Sequence, residues 1–168
     1  MKKLECLGQP YKYTTVLRCD LENPRHGPQT VHVVVDLKQP IPKVYINTNI
    51  YVKHFQSRTI LYGTTFEYCD FLMRNESRQN NPVAVLIYNY GKHNFPQVIR
   101  PCPALGVYNV SNLVLSENMI PPFVTPGTYY AIQWFYNKRN ETLLHYESEF
   151  TVAAPSIFNR TMSLFTLK

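Results

Sequence analysis

Runs of β-branched and aromatic residues, each closed by proline or glycine, recur along this chain and constrain it to short strands joined by turns. The clearest runs are residues 30–37, which lead into Pro40 and Pro42, and residues 44–52. Weaker ones cover residues 3–7 before Gly8 and Pro10, and residues 13–21 before Asn23-Pro24. Residues 59–68 form a further strand closed by Cys69, with Leu61 and Phe66 on opposite faces by parity. The pattern then changes period. Val83, Leu86, Ile87 and Tyr90 recur at i, i+3, i+4 and i+7 behind Asn81-Pro82, which predicts a short helix to Asn94. Pro96, Pro101 and Pro103 punctuate an extended segment around Cys102, and residues 107–115 read as a strand. A hairpin follows, residues 128–136 and 142–152 about a polar turn at 137–141. Tyr130, Ile132 and Trp134 share one face of its first strand, and Leu144, Tyr146, Ser148 and Phe150 one face of its second. Seven or eight strands at spacings of about ten residues predict a mostly β fold, an antiparallel β-sandwich with one short helix. It is read as a single domain over residues 1–155 with a C-terminal tail at 156–168.

Apolar residues make up 45% of the 168 and charged ones 17%, below the usual ~25%, so the chain has a core to bury and is no polyelectrolyte. Thirteen Pro, thirteen Tyr and nine Phe weigh against an all-helical bundle. The net charge of +6 is scattered in blocks no longer than two, as at Lys2-Lys3 and Lys138-Arg139, which excludes a nucleic-acid partner. No run approaches the ~18 apolar residues of a spanning helix, so a membrane-spanning chain is excluded too. Cys6, Cys19, Cys69 and Cys102 contain no C-x-x-C pair and read as disulfides. Four sequons, at Asn75, Asn109, Asn140 and Asn159, are candidate glycosylation sites, and with paired cysteines they predict an extracellular, secreted protein. The opening Met-Lys-Lys-Leu-Glu-Cys shows no apolar leader.

Signals of catalysis are weak. His26, His32, His54, His93 and His145 have no metal-ligand spacing, and no phosphate loop or hydrolase elbow occurs among only six Gly, so no metal, cofactor or enzymatic activity is expected. Cys102 beside Arg100 suits a disulfide better than a nucleophile. Glu147 and Glu149 share a strand face, where solvated carboxylates are the common case. The aromatic excess is the remaining feature. Most such rings fill a core. If two sheets splay at one end, however, they line an apolar cavity for an acyl chain or similar guest. The ligand-binding candidates are Tyr62, Phe66, Phe71 and Leu72 around the first aromatic strand, Leu86, Ile87 and Tyr90 on the helix, and Ile132, Trp134 and Phe150 on the hairpin. The alternative is an extracellular protein–protein interaction module with a filled core, distinguished by the absence of a void of at least ~300 Å3.

The stretch Thr59-Ile-Leu-Tyr-Gly-Thr-Thr-Phe-Glu-Tyr-Cys-Asp-Phe-Leu72 is followed by Asn81-Pro-Val83 opening an apolar helix and by Pro101-Cys-Pro103. With Cys6 and Cys19 ahead of it, this resembles the insect family of secreted domains of mostly unknown function that includes the CheB chemosensory proteins. That family is similar, more distantly, to the ganglioside activator protein and the lipid-recognition (ML) sandwich. The resemblance implies that Tyr62, Cys69, Phe71 and Leu72 belong to the family's most distinctive motif and that Cys69 and Cys102 are its central pair. It further implies an immunoglobulin-like (ML-type) sandwich that holds a lipid or hydrophobic semiochemical between its sheets, with pheromone perception as the setting and a receptor as a possible partner. Four cysteines allow three pairings. Cys6 with Cys19 and Cys69 with Cys102 are expected, with an ML-like link from Cys19 to a distant partner open.

Overall fold

A computed structural model describes residues 1–55, 57–73, 81–114 and 124–153. Eight strands run β1 (Lys3–Cys6), β2 (Thr14–Glu22), β3 (Thr30–Ile41), β4 (Val44–Lys53), β5 (Arg58–Glu67), β6 (Ala104–Leu113), β7 (Gly127–Asn137) and β8 (Thr142–Val152). Between β5 and β6 lie helix α1 (Tyr68–Met73), helix α2 (Pro82–Asn94) and a 3-10 turn (Pro96–Val98). The strands form two antiparallel sheets, a five-stranded one in the order β1-β8-β7-β4-β5 and a three-stranded one in the order β2-β3-β6. The expected mostly β antiparallel sandwich is the architecture observed.

Local chemistry explains most boundaries. Asn81 caps α2, its side chain accepting from the Ala84 N–H at 3.2 Å, and Pro82 follows where a missing N–H costs nothing. Strand β3 runs through Pro40 because its pairing with β6 shifts register between Leu37 and Ile41, so the proline takes no ladder hydrogen bond. Strand β6 starts at Ala104, earlier than the expected residue 107, directly behind Pro103. Helix α1 was not expected: residues 59–68 read as one strand closed by Cys69. Glu67 turns the chain, its carboxylate accepting from the N–H groups of Cys69 at 2.9 Å and Asp70 at 3.0 Å. The expected tail at 156–168 lies outside the described residues.

Both expected disulfides are present, Cys6–Cys19 with Cα atoms 6.2 Å apart and Cys69–Cys102 with Cα atoms 5.9 Å apart. The first joins the edge strands β1 and β2 across the two sheets, and the second ties α1 to the approach to β6. The hydrophobic core is a cluster of Val35, Leu37, Ile41, Val44, Ala104, Leu143 and Leu144, with Ile46, Tyr68, Phe135 and Tyr146 packed against it. Among the described residues no helix is long and apolar enough to cross a membrane.

Candidate functional site

Strand register decides which side chains look into the sandwich. Across β8, β7, β4 and β5, Leu144, Phe135, Ile46 and Phe66 form one row, and Tyr146, Gln133, Thr48 and Thr64 the next. Ser148, Ala131, Ile50 and Tyr62 form a third, and Phe150, Tyr129 and Val52 a fourth. The first row belongs to the core side, since Leu144, Phe135 and Ile46 meet Val35 and Leu37 of the other sheet. All four rows therefore face inward. The second row is polar: Thr48, 4% exposed, donates to Gln133 Oε1 at 2.8 Å. Asn81 extends this belt, donating from Nδ2 to Thr64 Oγ1 at 3.0 Å while its Oδ1 accepts from the Tyr62 hydroxyl. Burial raises the Tyr62 phenol above its ordinary value, so it stays a neutral donor.

Beyond the belt the packing differs. Val31, Tyr129 and Ala131 are buried yet stand outside the core cluster, as do Val83 and Ala84 at the start of α2. Phe150 stacks on Tyr129 with centroids 5.6 Å apart. Helix α1 packs on β4 and β5, and α2 is fastened to β5 through Asn81, so helices cover the inner face where the three-stranded sheet has no strand to offer. Phe71, 2% exposed, sits between Phe66 at 5.1 Å and Tyr88 at 5.6 Å.

The structure thus brings Tyr62, Phe66 and Phe71 together on the covered face, with Leu72 on α1 and Leu86 half-buried on α2. Phe150 faces inward on β8. Tyr90 sits farther along α2, 6.5 Å from Phe95, with its hydroxyl donating to the Val114 carbonyl at 3.4 Å. Ile87 is 50% exposed and looks to solvent. Ile132 and Trp134 are on the opposite face from Phe150, because Phe150 pairs with Tyr129 and Trp134 with His145. Trp134 joins an outer stack with Tyr136 at 4.5 Å and Tyr45 beyond it, and its indole N–H donates to Thr142. Sequence reasoning missed Ile50, Val52, Tyr129 and Ala131, and the polar belt of Thr48 and Gln133. The alternation of β4 carried that signal, since Ile46, Thr48, Ile50 and Val52 share one parity.

Of the sequons, Asn140 is exposed at the β7–β8 turn, and Asn109 is exposed on β6 with its Oδ1 accepting from Ser111 at 2.5 Å. Asn75 and Asn159 lie outside the described residues. Among the described residues no three His, Cys, Asp or Glu side chains gather as metal ligands would.

Two antiparallel layers, joined by the Cys6–Cys19 bridge and closed along one edge by helices that Cys69–Cys102 ties to the approach to β6, define a disulfide-tied β-sandwich. The chain belongs to the family described as "Protein of unknown function (DUF1091)", whose model matches residues 46–131, just over half of its length. The motif at residues 59–72, together with Cys102, falls inside that match, and the family-level resemblance read from the sequence holds. Among solved structures, the chain is similar to a Niemann-Pick type C2 protein from Japanese carpenter ant at 10% identity and a TM-score of 0.44. That match covers 89% of this chain and 98% of the other. A search of curated proteins gave no match.

Proposed function

We propose that this protein binds a lipid or another hydrophobic small molecule between its sheets and does not transform it. The observation that carries this reading is the division of the inter-sheet space. One half is a packed core, and a belt of Thr48, Gln133, Asn81 and Tyr62 separates it from a half where Ile50, Val52, Tyr129, Ala131 and Phe150 face inward. A guest in that half gains about 25 cal/mol for each Å2 of apolar surface removed from water. The belt orients its polar end, since the Gln133 amide and the hydroxyls donate and accept. Two disulfides and exposed sequons at Asn109 and Asn140 support an extracellular, glycosylated protein. The family resemblance adds a hydrophobic semiochemical as the guest, with handover to a receptor.

Uptake of a fluorescent fatty-acid probe by delipidated protein tests the reading. We expect saturable binding that Ala131→Trp, which fills the inner space, weakens at least tenfold, while Trp134→Ala on the outer face changes it less than twofold. No saturable uptake of any fatty acid, hydrocarbon or glycolipid probe ends it. One observation favours the interaction module instead: Leu17, Leu105 and Val107, 56%, 47% and 42% exposed, give the three-stranded sheet an apolar outer surface suited to a protein partner.

A further inference from the structure

In the polar belt each amide oxygen is engaged, and one amide nitrogen is not. Gln133 Oε1 accepts from Thr48 at 2.8 Å, and Asn81 Oδ1 accepts from the Ala84 N–H at 3.2 Å and from the Tyr62 hydroxyl. Asn81 Nδ2 donates to Thr64 at 3.0 Å. Gln133 Nε2 carries two N–H groups, and neither meets an acceptor among the described residues. Among those residues, the buried side-chain polar atoms without a partner are Thr14 Oγ1 and Tyr108 Oη. Gln133 Nε2 is not one of them, so it keeps accessible surface, and the residue as a whole is only partly buried.

The strand order says where that surface opens. Gln133 faces inward from β7, with β8 paired on one side and β4 on the other, so the space before it lies between the sheets. Toward the core that space is filled by Phe135, Ile46 and Tyr146, packed with Val35 and Leu37. The other direction leads to the row of Ile50 and Ala131. None of the four inward rows of the larger sheet carries a charged side chain. From the smaller sheet Leu21, Val31, Val33 and Val110 share the face of Val35. A carboxylate entering here would lose hydration and meet no counter-charge. A plain hydrocarbon would strip water from the two N–H groups and give them nothing in return.

We infer that the guest of the inner half is a neutral lipid whose polar group is a carbonyl, as in an ester, ketone or aldehyde, held by the N–H groups of Gln133 Nε2. This rests on the inter-sheet reading and adds the chemical class of the guest. A carbonyl oxygen only accepts, which matches a nitrogen that only donates. Gln133 and Tyr129 are four residues apart on β7, about 13 Å at ~3.3 Å per residue. The carbonyl therefore sits at the inner end of the site, and the apolar chain runs past Ala131 toward Phe150. A site built to bond such a group discriminates strongly against an analogue that lacks it.

Displacement of the fluorescent fatty-acid probe from the full disulfide-bonded chain at pH 8 tests this, with methyl dodecanoate, dodecanoate and tetradecane as competitors. Methyl dodecanoate should bind with a Kd at least fivefold below that of either of the others. Gln133→Leu combined with Thr48→Val removes the N–H groups and leaves no hydroxyl stranded, and it should bring the ester within twofold of the alkane. Dodecanoate or tetradecane binding as tightly as the ester overturns the inference, as does a fivefold preference for the ester that survives in the double variant. Equal displacement by all three competitors overturns it while leaving the inter-sheet reading standing, whereas no saturable binding of probe or competitor ends both. Should the double variant fail to fold, the two wild-type ratios decide alone.

Discussion

Asn81 is where the polar contacts of the helix–sheet seam converge: it caps α2, accepts from Tyr62 and donates to Thr64 while only 4% exposed. Asn81→Ala removes the cap, about 1 kcal/mol, and strands two hydroxyl partners, so a loss of about 2–3 kcal/mol is expected in chemical denaturation. Asn81→Asp, which keeps the cap, should recover part of it. Glu141 sets an acid dependence. Hydrogen bonds from Asn137 first, and from Lys12 next, hold its carboxyl down at about 2 from an ordinary 4.5. A depressed folded-state pKa means stability present above 4.5 and lost as pH falls toward 2. Melting temperature measured across that window should fall less steeply in Glu141→Gln than in the wild type. At this scale the sequence spoke unevenly. Asn81 announced itself beside Pro82, whereas Trp134 did not reveal its side. Strand β7 has rings on both faces, Tyr129 and Phe135 inward, Tyr130, Trp134 and Tyr136 outward, so parity alone sorted the residues into sets without saying which set met the core.

Among the elements, the two staples differ in what they constrain. Cys69–Cys102 closes a separation of 33 residues and Cys6–Cys19 one of 13, which the chain-entropy relation converts to about 4 and about 3 kcal/mol. Replacing Cys69 and Cys102 together by Ala should therefore cost about 4 kcal/mol in urea denaturation. It should also loosen α1, detectable as faster amide exchange at Phe71. Helix α2 was legible because Val83, Leu86, Ile87 and Tyr90 have the helical period, yet Ile87 turned outward. A 3.6-residue repeat marks a face wider than the surface it covers, and the edge of that face meets water. Helix α1 was invisible for a different reason. Six residues are too few to show a period, and the β-rich Thr59–Glu67 segment runs straight into it.

For the molecule as a whole, the strand count and the β7–β8 hairpin followed from turn chemistry, which is local, whereas the sheet order and the partition of the interior depend on which distant strands meet. Thr48 and Gln133 lie 85 residues apart, and nothing in either segment marks them as partners. If the inner half receives a guest, binding must raise stability. At a ligand concentration 100 times Kd, the gain is about 2.7 kcal/mol, readable as an upward shift in melting temperature that grows with concentration. Ala131→Trp, binding at least tenfold more weakly, should cut that gain to about 1.4 kcal/mol or less at the same concentration.

Both covalent ties fall short of one end of the sandwich. Cys6 sits opposite Tyr146 in the polar row and Cys19 opposite Val33, so the rows of Val31, Val52 and Phe150 lie past the reach of either sulfur bridge. At that end neither disulfide holds one layer to the other. If the inner half takes a guest, that guest enters and leaves by this margin without either bridge being reduced.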